Sequence, residues 1–248
     1  MAEKEESKMG KPEYKRSYIA FIDILGFKNI VNKRPCEEII EIYNTIDEWA
    51  YLSEELETDS GRISKPVIDP DDIHISVMSD SICIYVEASI PESLFCLLFM
   101  CAHFQSRMLG MEIPVLLRGA ITVGDIIQNK SVIYGPGFVE AYLMEGNNAK
   151  FPRIILNRCV WDAYVKEHRR GESEPFFCRL DFDGFYSINY CEMFEWFNKK
   201  DKDRRTLEDI SEYVDGVLYS TIDNSIRDKY LYLNSELTRC IDLKQPQV

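Results

Sequence analysis

The segment Tyr18–Ile24 (YIAFIDI) constrains this chain more than any other. It is apolar at successive positions, and so on both faces of an extended strand. Only a central strand covered on each side satisfies that pattern. The chain must therefore build a sheet with this strand inside it. Asp23 is the one residue out of keeping. An unpaired carboxylate beside a buried strand end is costly to desolvate, so a cationic group is expected next to it.

The rest of the chain supplies the partners. Residues 1–17 read as a flexible charged tail. Leu25-Gly26-Phe27 turns into a helix starting near Lys28, and apolar residues at three- and four-residue intervals predict a longer helix over residues 36–57. Gly, Pro and Asp punctuate an acidic loop, Thr58–Asp72, which either covers a site or is a plain insertion. IHISVM and ICIYVE then form a tight hairpin with Asp80 near its tip, followed by an apolar helix over 91–110. PVLLRGAITVGDII and VIY read as strands, FVEAYLME as a helix, RIIL as a strand and Arg158–Arg170 as a helix. A late strand pair turns at Asp183-Gly184. This order predicts an α+β sandwich with helices on one sheet face, spanning 18–190, and a helical C-terminal extension over 191–248. Tyrosines 213, 219, 230 and 232 of that extension read as packing residues.

Composition narrows the function classes. The 248 residues suit one large domain, or a domain with an appended piece. With 29 Lys plus Arg against 42 Asp plus Glu, the net charge of −13 argues against a nucleic-acid partner. It leaves room for a single nucleotide whose phosphates are neutralised locally by metal. Eight cysteines and three histidines show no zinc spacing, and the thiols are expected to be free. The start lacks an apolar signal core, and the longest apolar run, near residues 94–102, is well short of the ~20 residues of a membrane span. A cytoplasmic protein without membrane contact is the expectation.

Asp23 and Asp80 stand at comparable places, each at the end of a buried strand. Taken singly, one is an ordinary residue before a helix and the other an ordinary turn former. Taken together, they suit a divalent cation held by protein carboxylates and substrate phosphates. The turn after Asp23 offers the complement, since amides at a helix start can hold phosphate oxygens.

FIDILGF, SDSI, LRGAITVG and YGPGFVEAYLMEG, over about residues 18–157, resemble the catalytic domain of class III nucleotide cyclases. The RGAI run, the G-x-x-x-A-Y-x-x-E helix and the KYLYLN segment are most similar to the bacterial pyrimidine (uridylate and cytidylate) cyclases of Pycsar antiphage defence. The resemblance implies a ferredoxin-like, palm-type sandwich with a mixed, mainly antiparallel sheet and helices packed on it. It implies two divalent cations, Mn²⁺ or Mg²⁺, on Asp23 and Asp80, with the Ile24 carbonyl as a further ligand. Leu25, Gly26 and Phe27 become the phosphate cradle. The substrate is a nucleoside triphosphate, UTP favoured and CTP next, cyclised with loss of pyrophosphate. The assembly is a head-to-tail homodimer with active sites between subunits.

The departures from the family are informative. Purine-specific members carry a Lys where this chain has Ser76 and an acid where it has Val132, so both become base-pocket candidates, with Tyr14 and Arg16 as possible reach-in groups. The family's transition-state Asn and Arg fall on Val139 and Leu143. Arg118, taken as catalytic, and Lys150 and Arg153 are the cations available to replace that Arg. Such losses suit either an inactive relative or a divergent enzyme. Retention of two costly carboxylates favours the enzyme. A purine cyclase and a non-catalytic nucleotide-binding or dimerisation module are the alternatives.

Overall fold

The computed structural model describes residues 13–47, 55–58, 61–64, 68–129, 132–168, 177–198 and 204–244. The chain opens with β1 (Lys15–Ile24), α1 (Phe27–Lys33) and α2 (Cys36–Asp47), then β2 (Glu55–Thr58) and β3 (Gly61–Ser64). The hairpin β4 (Ile73–Met78) and β5 (Ser81–Glu87) leads to α3 (Ser93–Leu109), β6 (Leu117–Asn129) and β7 (Val132–Tyr134). Then come α4 (Pro136–Asn148), β8 (Ile154–Leu156), α5 (Arg158–His168), β9 (Cys178–Leu180) and β10 (Tyr186–Ile188). Three helices, α6 (Tyr190–Asn198), α7 (Leu207–Ser220) and α8 (Asn224–Lys244), finish the chain.

Seven strands line up as β4-β5-β1-β6-β8-β10-β9, with β7 paired to β6 as an eighth. β1 is antiparallel to both neighbours, and among the described residues the single parallel pairing is β6 with β8. β1 is thus central, as its apolar sequence requires, and Ile19, Ala20 and Ile22 have no exposed surface. Each such isoleucine contributes about 1.5–3 kcal/mol relative to an exposed one.

Helices cover both faces of the sheet, which corrects the one-faced sandwich expected from element order. Tyr18, Ala20, Ile22 and Ile24 join a core with α3 and α6, whereas Ile19 and Phe21 pack with Phe138 and Ala141 of α4. Element order alone does not say to which side a crossover passes. α3 is buried nearly all round, as a helix between a sheet and a further helix must be. The second face is shut by close backbone approach: a Cβ on Gly124 of β6 would lie 2.7 Å from the Gly137 Cα of α4.

Three boundaries differ from the sequence reading. β1 starts at Lys15, inside the expected tail. The predicted 36–57 helix gives way to a strand at Glu55–Thr58, where pairing with Gly61–Ser64 overrides helical periodicity. Trp49 and Ala50 lie outside the described residues. The expected loop 58–72 contains β3 and a 3-10 turn at Pro70–Asp72. The C-terminal helices share the α3 core through Phe194, Leu207, Ile210, Leu233 and Leu237. Tyr213, Tyr230 and Tyr232 pack as expected, but Tyr219 is 97% exposed. Among the described residues, no helix is long and apolar enough to cross a membrane.

Candidate active site

The ladder brings the chemistry together. In β1, Asp23 stands opposite Ser81 of β5 on one side and Arg118 of β6 on the other. Alternation along β1 sends Asp23 to the same face as Phe21, beneath α4. Arg118 Nε donates to Asp23 Oδ2 at 3.0 Å, so the cation expected beside this carboxylate is a cross-strand neighbour.

Asp80 is held close by. It occupies the two-residue β4–β5 turn with Ser79, whose φ of 58° is the positive value that a tight hairpin demands at its first turn position. The Asp80 carbonyl accepts the Ile24 N–H at 2.9 Å, tying the turn to the end of β1. Tyr43 of α2 donates its hydroxyl to the Ser79 carbonyl at 2.8 Å from the other side. Sequence reasoning gave no role to Tyr43.

A third carboxylate completes the cluster, and sequence reasoning assigned it no role either. Glu145 of α4 is 4% exposed, and its Oε1 lies 2.8 Å from Arg118 Nε. That approach is not a hydrogen bond: the single Nε hydrogen is directed at Asp23, and Oε1 accepts none. The signal was present in the sequence. Gly137, Ala141 and Glu145 form the buried stripe of α4 at four-residue spacing, so an acid stands in line with residues that face the sheet.

Three acids around one guanidinium leave the cluster short of positive charge. Burial raises the Asp23 carboxyl above its ordinary range, Arg118 pulls it back, and Asp80 pushes it further up. Burial likewise raises Glu145, with Arg118 opposing and Asp23 and Asp80 adding to the shift. Among the described residues, no group of three or more His, Cys, Asp or Glu is arranged to hold a metal ion. Arg118 occupies the place between Asp23 and Glu145.

Superposition on solved structures identifies the architecture. The catalytic core of a rhodopsin-guanylyl cyclase with converted specificity, in complex with ATPαS, is similar with a TM-score of 0.51 at 12% identity, covering 72% of this chain and 98% of that one. The fold is that of a class III nucleotide cyclase. An adenylate/guanylate cyclase/hydrolase from Silicibacter pomeroyi is similar with a TM-score of 0.41 at 13% identity, over 71% of this chain and 95% of that one. No protein-family model matches the sequence, and neither does any curated protein.

On this cyclase fold the other expected site residues disperse. The Leu25 amide is consumed by the Leu116 carbonyl at 2.8 Å, so Leu25 drops out of the phosphate cradle. Gly26, at φ 73°, makes the turn, and the first amides engaged by α1 are those of Asn29 and Ile30, both on the Gly26 carbonyl. Gly26 and Phe27 amides precede that ladder, as at any helix start. Arg153 is a correction: it has no exposed surface and is ion-paired with Asp181 and Asp183, so it cannot turn to a substrate. Lys150 is exposed.

Ser76 lies on edge strand β4, opposite Cys83, and Val132 begins β7, opposite Asn129 and 57% exposed. Tyr14 meets Tyr134 edge-on at 6.4 Å and walls an open groove of about 850 Å³ that follows α4 past Val139 and Leu143 to Asn148. The Tyr14 end of this groove is at the opposite end of β1 from Asp23, roughly 30 Å away at strand rise. Arg16, in β1 beside it, is exposed.

Proposed function

We propose that the protein is a nucleotide cyclase that converts a pyrimidine nucleoside triphosphate, UTP before CTP, to its 3′,5′-cyclic monophosphate, as an alarm signal in antiphage defence. The pairing of Asp23 with the Asp80 turn, on a class III cyclase fold, carries this reading.

Asp23 and Asp80, with the Ile24 carbonyl, would hold two divalent cations, Mn²⁺ or Mg²⁺. The residues fit such a group: oxygen donors suit hard cations, and the buried Glu145 Oε1 without a hydrogen bond marks a cluster short of positive charge. When bound, the cations supply the charge that makes the ribose 3′-hydroxyl a nucleophile and stabilises the pyrophosphate leaving group. Arg118 offers a planar fork to phosphate oxygens. Gly26 and Phe27 offer backbone donors beside it. Val139 and Leu143 offer no polar group, so within the chain's own residues the developing phosphate charge falls to Arg118. Ser76 and Val132 lack the amine and carboxylate that purine-specific cyclases use, which supports a pyrimidine base.

Each subunit carries Asp23 near one end of β1 and Tyr14 at the other, with the groove running along α4 from Tyr14 to Asn148, and the outer side of α4 exposes Val139, Tyr142 and Leu143. A head-to-tail homodimer would join the metal half of one copy to the groove of the other and bury that stripe.

Incubation with each nucleoside triphosphate and Mn²⁺, with product identification, tests the reading. Cyclic UMP or cyclic CMP is expected. Cyclic AMP or GMP replaces it with a purine cyclase, and no product from any nucleotide leaves a binding or dimerisation module. Asp80→Asn should keep the melting temperature and lower turnover by roughly 100-fold or more, the scale of removing one group from a preorganised charged site. Retained turnover removes Asp80 from the site.

A further inference from the structure

Arg118 stands between two carboxylates and can satisfy only one through Nε. Its Nε donates to Asp23 Oδ2 at 3.0 Å while Glu145 Oε1, buried on α4, waits at 2.8 Å with no hydrogen bond. The guanidinium NH1 is also 3.5 Å from the Ala149 carbonyl, just beyond the end of α4, so α4 and its exit already grip the same side chain. A small rotation of the guanidinium moves its hydrogen from one acid to the other without breaking the α4 contact.

We propose that Glu145 is a positioning residue that receives Arg118 when a cation binds, freeing Asp23 as a ligand. This rests on the reading of Asp23 and Asp80 as the cation site. A cation on Asp23 would stand beside the guanidinium already held at Oδ2, and two positive charges at one carboxylate repel. That repulsion pushes Arg118 away from Asp23, and its side chain is only 28% exposed, so departure into water is the poorer route. Glu145 provides a buried acceptor already within contact distance. The exchange also keeps Arg118 at the site, where phosphate oxygens arrive.

Mn²⁺ binding to the nucleotide-free full-length protein, followed by electron paramagnetic resonance of free Mn²⁺, tests the exchange without turnover. Glu145→Gln is expected to weaken Mn²⁺ affinity by about tenfold, within the range for groups in contact. Arg118→Gln is expected to tighten it, and in the Arg118→Gln background Glu145→Gln should change it by less than about twofold, because no guanidinium remains to be moved. Equal weakening in both backgrounds makes Glu145 a direct ligand or a plain charge and overturns the proposal. Unchanged affinity in Glu145→Gln also overturns it. If Glu145→Gln does not fold, Arg118→Gln decides alone, and affinity no tighter than wild type overturns the exchange. Asp23→Asn separates the two readings: if it leaves Mn²⁺ binding intact, the cation site itself is wrong and this proposal falls with it.

Discussion

Arg118 of β6 touches the start of the α4–β8 connection at Ala149 and Arg153 ends that connection, and each faces acids from other elements, yet their surroundings differ at every step. Arg153 has no exposed surface, pairs with Asp181 and Asp183, and is ringed by Phe151, Phe182 and Tyr232 at 5.4–5.7 Å. Its partner Asp181 also accepts the Tyr232 hydroxyl at 2.7 Å and the Phe182 amide at 2.8 Å. Burial pushes the Asp181 carboxyl up, but Tyr232, Arg153 and Phe182 outweigh it and hold it below the usual range. Around Arg118 the balance is reversed: donors are too few, and Asp23 and Glu145 sit above their usual range. A cluster rich in donors fixes α8 to the sheet. A cluster short of them stays responsive to an incoming charge.

The contrast sharpens under substitution. Arg153→Met takes the buried cation from the buried Asp181 and should cost about 3–5 kcal/mol in urea unfolding. Tyr232→Phe removes one hydrogen bond to an ionised group and should cost about 2 kcal/mol. Arg118→Gln should cost less, because Arg118 is itself partly exposed and the two acids it leaves, Asp23 and Glu145, already hold protons more firmly than usual. If Arg118→Gln costs as much as Arg153→Met, the two clusters are not different in kind.

The smallest effect is in pH dependence, where the clusters have opposite signs. Ionised Asp181 stabilises the fold above its ordinary pKa, and that contribution is lost as pH falls through its depressed folded value. Asp23 and Glu145 hold protons more firmly when folded, so they subtract stability as pH rises from their ordinary values through their raised ones. Melting curves from about pH 3 to 7, spanning the carboxylate range, should show Asp23→Asn flattening the second slope and leaving the first. A parallel displacement of the whole curve would assign Asp23 no raised pKa.

Asp23 shows how far sequence reaches. Its need for a cation follows from burial alone, and Arg118 was among the candidates, but the choice over Arg153 depends on register. Asp23 lies opposite Arg118 only because Ile22 lies opposite Gly119, and a slip by one residue would send Arg118 to the other face. Arg153 stood behind Arg118 as a lesser candidate because a sequence does not reveal that Asp181 and Asp183 return beside it through the β9–β10 turn. Glu145 was legible as the third member of a buried stripe. The two-faced cover was not, since nothing in the element order fixes the side of α4. The base-pocket residues were read only as what is missing, and Ser76 and Val132 come from strands whose pairing had to be seen.

The glycine contact between α4 and β6 has a mechanical consequence. Gly137 is pressed against Gly124 with no side chain between them, and Thr122 donates to the Gly137 carbonyl at 3.1 Å, so the start of α4 is pinned. Glu145 lies eight residues along, about 12 Å at helical rise. Measured from a fulcrum at Gly137, the long arm of the helix carries Glu145 over the acidic cluster and ends where Ala149 packs on Ala120 and Ile155. A tilt of about 5° displaces Glu145 by about 1 Å over that arm, a large fraction of its 2.8 Å approach to Arg118, while the groove wall at Pro136 scarcely moves.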